Sequence, residues 1–124
     1  MNPEVRRKWA DALRSGEYAQ GRNGLAGRLA DGSTQHCCLG VLCEVALKDG
    51  LSLVVDERPA DPATGVVSDM AYSGRLGYLP RSVAEWAGLA GELIDDVSAQ
   101  DVLADLNDNG ATFARIADLI EENL

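Results

Sequence analysis

Residues 21–44, GRNGLAGRLADGSTQHCCLGVLCE, gather most of the groups in this chain that could do chemistry. They hold Arg22, Arg28, the single histidine His36 and all three cysteines, Cys37, Cys38 and Cys43, among five glycines. A metal site, a thiol nucleophile, an anion cradle and a turn feeding a buried helix all draw on such residues. Structural zinc takes tetrahedral ligands, usually as two close pairs. Cys37 and Cys38 are adjacent, so on a helix their side chains diverge by about 100°, and no second Cys/His pair exists. A cysteine nucleophile needs a depressed thiol pKa, from a helix N-terminus or an imidazole. Both adjacent thiols lie near an expected helix start, but neighbouring residues seldom face one another and there is no other histidine. The three cysteines therefore read as small buried apolar side chains.

A second motif, DLNDNGATFARI, places Asp105, Asn107, Asn109 and Gly110 at the first ligand positions of a calcium loop. The final position of such a loop should be a bidentate glutamate and here is Ile116, so a polar interhelical turn with a left-handed Gly110 fits better. No P-loop, nucleophile elbow or zincin motif occurs. No catalytic residue, metal ligand or cofactor is assigned. What remains is an anion site built from Arg14, Arg22 and Arg28 with the glycine-rich backbone between them. Arginine offers a planar fork of donors to phosphate, and glycine lets backbone amides approach a ligand. Tyr18, and Tyr72 or Tyr78, could stack on a base, and Gln20 could read a base edge. The competing expectation is that these arginines pair with the chain's many carboxylates.

The elements that must position these groups follow from spacing and punctuation. Asn2 as N-cap and Pro3 at the first position open a helix over 3–15, with Val5, Trp9, Ala12 and Leu13 inward and Gly16 as its stop. Five glycines between 16 and 32 forbid a long helix and predict short strands or an ordered loop, with a turn at Asp31-Gly32. The apolar run that follows predicts a buried helix over 35–48, in which Gly40 permits a close neighbour. Residues 51–57 read as a strand. Residues 58–69, with two prolines and a glycine, read as a loop long enough to act as a lid over a ligand. Further helices are expected from about Pro80, over 99–106 behind an approximate Ser98/Asp101 capping box, and from Thr112 to the end. The fold class is α+β: one domain over 1–124, helix-rich with about five helices and a small antiparallel sheet.

Composition bounds the partners. The formal charge is −9, spread unevenly: residues 1–40 carry six basic and four acidic groups, and the rest five basic and 16 acidic. Such a balance argues against duplex nucleic acid, which needs a basic face, and leaves room for a small anion near the N-terminal third. No apolar run suits a membrane span and the N-terminus lacks a signal-peptide core. A cytoplasmic protein with reduced thiols is expected.

Four blocks, WADALRSGEYAQGRNGL, CCLGVLCEVA, LPRSVAEWAGL and LADLNDNGATFARIADLIEENL, cover nearly the whole chain. In this order they resemble a group of small proteins of tailed bacteriophages and prophages. The resemblance implies phage origin and action in the host cytoplasm, without implying a reaction. In size, solubility and lack of a catalytic motif the chain is also similar to sponge proteins, small homo-oligomers that bind nucleotide immune signals such as cyclic ADP-ribose isomers or cyclic dinucleotides without cleaving them. Sequestration of a nucleotide, rather than catalysis, is the expectation. The alternatives are an acidic inhibitor that docks on a host protein, and a small nucleotide-cleaving enzyme.

Overall fold

The computed structural model describes residues 1–124. Helix α1 (Pro3–Arg14) begins as the sequence predicts, with Asn2 Oδ1 accepting from the amides of Glu4 and Val5. Its inward stripe is Val5, Trp9, Ala10 and Leu13. Strands β1 (Ala19–Gln20), β2 (Ala26–Leu29) and β3 (Thr34–His36) follow, the last two joined by a turn at Asp31-Gly32 where Gly32 takes φ 87°. Helix α2 (Cys38–Lys48) is apolar apart from Glu44 and Lys48 and has eight buried residues. It is shorter than the 35–48 expected, because Thr34–His36 pair with β2 and β1 instead. Cys37 is left to cap the helix, its sulfur accepting from the Gly40 amide at 3.4 Å.

Strand β4 (Val55–Pro59) begins four residues later and ends two later than the strand expected over 51–57, and β5 is Val66–Tyr72. The expected loop over 58–69 is thereby corrected. Most of it is a β4–β5 hairpin, and only the turn between the strands, built on a short 3-10 segment Pro62–Thr64 capped by Asp61, is irregular. Helices α3 (Arg81–Ala87), α4 (Ala99–Asp108) and α5 (Phe113–Asn123) complete the chain, with a two-stranded hairpin of β6 (Leu93–Ile94) and β7 (Val97–Ser98) before α4. Thr112 caps α5 through the Arg115 amide as expected, whereas the Ser98 side chain makes no cap hydrogen bond.

The fold is α+β with five helices, as the sequence implies. Its main sheet, ordered β1-β3-β2-β5-β4, is mixed rather than antiparallel, since β1 runs parallel to β3. Register puts Ala26, His36 and Tyr72 on one face, and all three are buried. Gly27, Gln35, Asp69 and Arg58 share the other face, because successive side chains alternate. One core cluster of 27 buried residues joins α1, α2, α4 and α5 to that first face. Trp9 anchors it, fully buried, with its indole N–H donating to the Cys38 carbonyl at 2.9 Å. All five residues of β4 are exposed. Its charges and terminal proline keep this edge from pairing with other chains.

Candidate functional site

The expected anion cradle does not assemble from three arginines. Arg14 ends α1 and bridges it to α5, contacting Asp118 at 2.7 Å and Glu121 as well. Arg28 on β2 points to the face opposite Asp69 and lies 2.7 Å from Glu57 Oε1 on β4. Its buried Nε is angled away from a hydrogen bond to that oxygen, so the pairing is Coulombic. Both arginines thus follow the competing expectation of pairing with carboxylates. Three backbone amides of the glycine-rich segment are also engaged. Gly21 N–H donates to His36 O, Leu25 N–H to Leu76 O, and Asn23 N–H to Asp108 Oδ1.

The aromatic and amide candidates are likewise held. Tyr72 is 2% exposed, with its hydroxyl donating to Glu44 at 3.0 Å, so it belongs to the core and has no free face. Burial, with the Glu44 charge beside it, pushes its phenol pKa up. Gln20 donates through Nε2 to Asn107 Oδ1 and the Ala111 carbonyl, tying β1 to the α4–α5 turn. Tyr18 stands edge-on to His36, with centroids 5.3 Å apart, and Lys48 Nζ lies over its ring. It lines a hollow of about 250 Å³ shared with Lys8 and Lys48. Both lysines are paired there, Lys8 with Asp49 and Lys48 with Glu17. Tyr78 is half exposed, and the Asp101 carboxylate beside it raises its pKa.

Arg22 is different. It has no carboxylate within ion-pair distance, and it lines a cleft of about 350 Å³ with Asn23, Asp61, Thr64, Val66 and Asp69. The turn between β4 and β5 forms one wall and the polar face of the sheet another. The segment expected to act as a lid therefore does meet Arg22, but as a hairpin turn. Gly27 shapes this region: a Cβ there would stand 2.7 Å from a Val66 methyl group, so only a bare backbone lets the two strands and the turn come so close. Asp69, without an ion-pair partner, was not singled out in the sequence. Only the register opposite Gly27 brings it to the cleft. Chemically the cleft offers one guanidinium for an anionic oxygen and two carboxylates for hydroxyl or amino donors.

The thiols take no part in such chemistry. Burial raises the pKa values of Cys37, Cys38 and Cys43, and a thiol so raised is not ionised at neutral pH. The calcium-like segment is equally structural: Asn107 is fully buried, and no group of three His, Cys, Asp or Glu side chains is close enough to hold a metal ion. His36 is buried, and its Nδ1 has no hydrogen-bond partner. Burial holds its pKa below the ordinary 6.5, with the Glu44 charge opposing more weakly. The unfolded chain therefore binds this proton more readily than the folded one. Stability should be full near pH 7 and decline as pH falls below about 6.5, by no more than about 1.4 kcal/mol per pH unit. Urea unfolding of the protein and of His36→Phe at about pH 7 and pH 5.5 checks this. The slope should flatten in the variant, and an equal slope in both would assign it elsewhere.

No helix is long and apolar enough to cross a membrane. No curated protein and no solved structure matches the chain. A family model, described as a domain of unknown function, matches residues 1–124 from end to end, and the chain belongs to that family, DUF8296.

Proposed function

We propose that this is a phage accessory protein that binds and sequesters a small nucleotide immune signal in the host cytoplasm, with the Arg22 cleft as its binding site. The observation that carries the reading is that Arg22, which has no ion-pair partner, lines a cleft of small-ligand size together with Asp69 and the β4–β5 turn. One cation with two carboxylates suits a ligand with few phosphates and many hydroxyls. Arg22 takes a phosphate oxygen pair, and Asp61 and Asp69 accept from ribose hydroxyls, as acidic residues do in nucleotide sites. That balance favours a cyclic ADP-ribose-type ligand over a cyclic dinucleotide. At about 350 Å³ the cleft is near the lower end for ligand pockets, so part of such a molecule would stand outside it. A second subunit of a homo-oligomer would cover the remainder. The net charge of −9 disfavours duplex nucleic acid as an alternative partner.

Calorimetry with a panel of cyclic ADP-ribose isomers and cyclic dinucleotides tests the reading. At least one member should bind, and the ligand should be recovered intact after the protein is denatured. Arg22→Ala should weaken binding by about 10- to 100-fold, the worth of a charge-assisted hydrogen bond. Asp69→Asn should weaken it less. Absence of heat from every member, or binding indifferent to Arg22→Ala, overturns the site. Recovery of a cleaved ligand would replace sequestration with catalysis.

A further inference from the structure

The opposite chemistry occurs on α4, α5 and the β6–β7 hairpin. A hollow of about 430 Å³, the largest in the molecule, runs between these elements, and a second of about 320 Å³ adjoins it. The two share Val102 and Leu106, one turn apart on α4, so they form one groove crossing that helix. Ile94 and Leu119 complete its apolar floor. Val97, which lines the second hollow from the hairpin, stands 49% exposed.

The polar residues around this floor are nearly all acidic. Asp95 and Glu122 line one hollow, Asp101 and Asp105 the other, and Arg115 is the one cation. None of these four carboxylates has an ion-pair partner, although elsewhere Arg14, Lys8, Lys48 and Arg28 are each matched to at least one. The hairpin turn adds Asp96 beside Asp95, both with left-handed backbone (φ 65° and 50°). Asn-Gly would suit such a turn better, so two like charges stand there at a cost in local stability. Apolar floor and unmatched carboxylates have one complement, an apolar stripe flanked by lysine or arginine.

We infer that this groove is a docking surface for a cationic amphipathic helix of a partner protein. The hollows on either side of Val102 and Leu106 offer room for apolar side chains of an incoming helix, in the manner of helix-in-groove recognition. The flanking Asp101 and Asp105, at i and i+4, meet the basic residues beside that stripe. Charge steers the encounter and desolvation of the leucines holds it. The groove shares no lining residue with the Arg22 cleft, and its carboxylates would repel a phosphate. The docking surface therefore stands or falls independently of nucleotide binding.

The probe is a pair of synthetic leucine–lysine peptides of about 14 residues, about four helical turns. One has the leucines on a single helical face; the other has the same composition in an order that scatters them. Each is titrated into isotopically labelled protein by NMR. The amphipathic peptide should bind at least about tenfold more tightly than the scattered one, with shifts confined to α4, α5 and the β6–β7 hairpin. Asp101→Lys with Asp105→Lys should weaken it about tenfold or more while leaving the spectrum of the core unchanged. Rise of salt from about 0.05 to 0.5 M should weaken it further. Equal binding of the two peptides, or shifts scattered over the whole acidic surface, overturns the proposal. So does concentration-dependent movement of the same resonances in free protein, which would give the groove to a second copy of the chain.

Discussion

Gly40→Ala is expected to destabilise the protein by about 3 kcal/mol or more, lowering its melting temperature by about 10 °C or more. Gly40 sits in the first turn of α2, where the helix crosses the start of β2. A Cβ at this position would lie 1.8 Å from the Leu25 carbonyl oxygen and 2.7 Å from its carbon. Both are main-chain atoms, so no rotamer change relieves the clash. The same carbonyl accepts the Cys37 amide at 3.1 Å, the bond that leads the chain from the sheet into α2. Leu25, Leu39, Val41 and Leu42 are fully buried around it, leaving no direction for the helix to retreat. Alanine's better helix propensity returns no more than about 1 kcal/mol. Gly77→Ala is the control, since no atom lies within 4 Å of its added Cβ. Its effect should stay within about 0.5 kcal/mol. Thermal unfolding of the two variants measures the difference, and a Gly40→Ala protein as stable as the Gly77→Ala one would contradict this packing.

Asn107→Ala is expected to cost about 3–5 kcal/mol, for a different reason. Asn107 is fully buried, near the C-terminus of α4. Its Oδ1 accepts from the Cys38 amide at 3.2 Å and from Gln20 Nε2 at 2.9 Å, and its Nδ2 donates to the Gly21 carbonyl at 2.8 Å. One side chain thus joins α4 to β1, to the loop that carries Arg22 and to the start of α2. Truncation leaves a buried amide and a buried carbonyl unpaired, at about 1–3 kcal/mol each, and a cavity besides. Asn107→Asp is the sharper variant. It keeps the shape and the acceptor but faces the Gly21 carbonyl with an oxygen in place of a donor, beside Asp108. Its buried carboxyl should take up a proton, so its stability should rise as pH falls from about 7 to 5, opposite in sign to the effect of His36. Urea unfolding at the two pH values checks this. A loss below about 1 kcal/mol for Asn107→Ala would mean that water replaces the side chain.

These two residues also show where sequence reasoning ran out. Gly40 was legible: an apolar helix with one glycine on it implies a close neighbour, though not which neighbour. Asn107 was not. Its spacing to Asp105, Asn109 and Gly110 imitates a metal loop, and nothing local says that its amide turns inward to main-chain groups dozens of residues away. The start of α2 was misplaced for a related reason. Gln35 and His36 carry no strong strand propensity and continue a strand from Thr34 because β1 and β2 supply hydrogen bonds on either side. The supposed lid over 58–69 was misread because Pro62 and Gly65 mark only the turn, while Pro59 is tolerated at the end of an edge strand and pairing with β2 and β4 makes 66–69 a strand.

Caps, glycine stops and apolar periodicity determined the helices, since each is a matter of neighbours within a few residues. The same spacing and punctuation determined the α+β fold class, while charge gave only an expectation about partners, that duplex nucleic acid is not one. Which arginine stays unpaired was decided only by tertiary structure. Arg14, Arg22 and Arg28 are alike as residues; two of them meet carboxylates brought from α5 and β4, and one meets a cleft. The physical reason is range. A guanidinium's partner is whatever charge the chain folds to within about 4 Å, and that is set by sheet register and helix packing across the whole molecule.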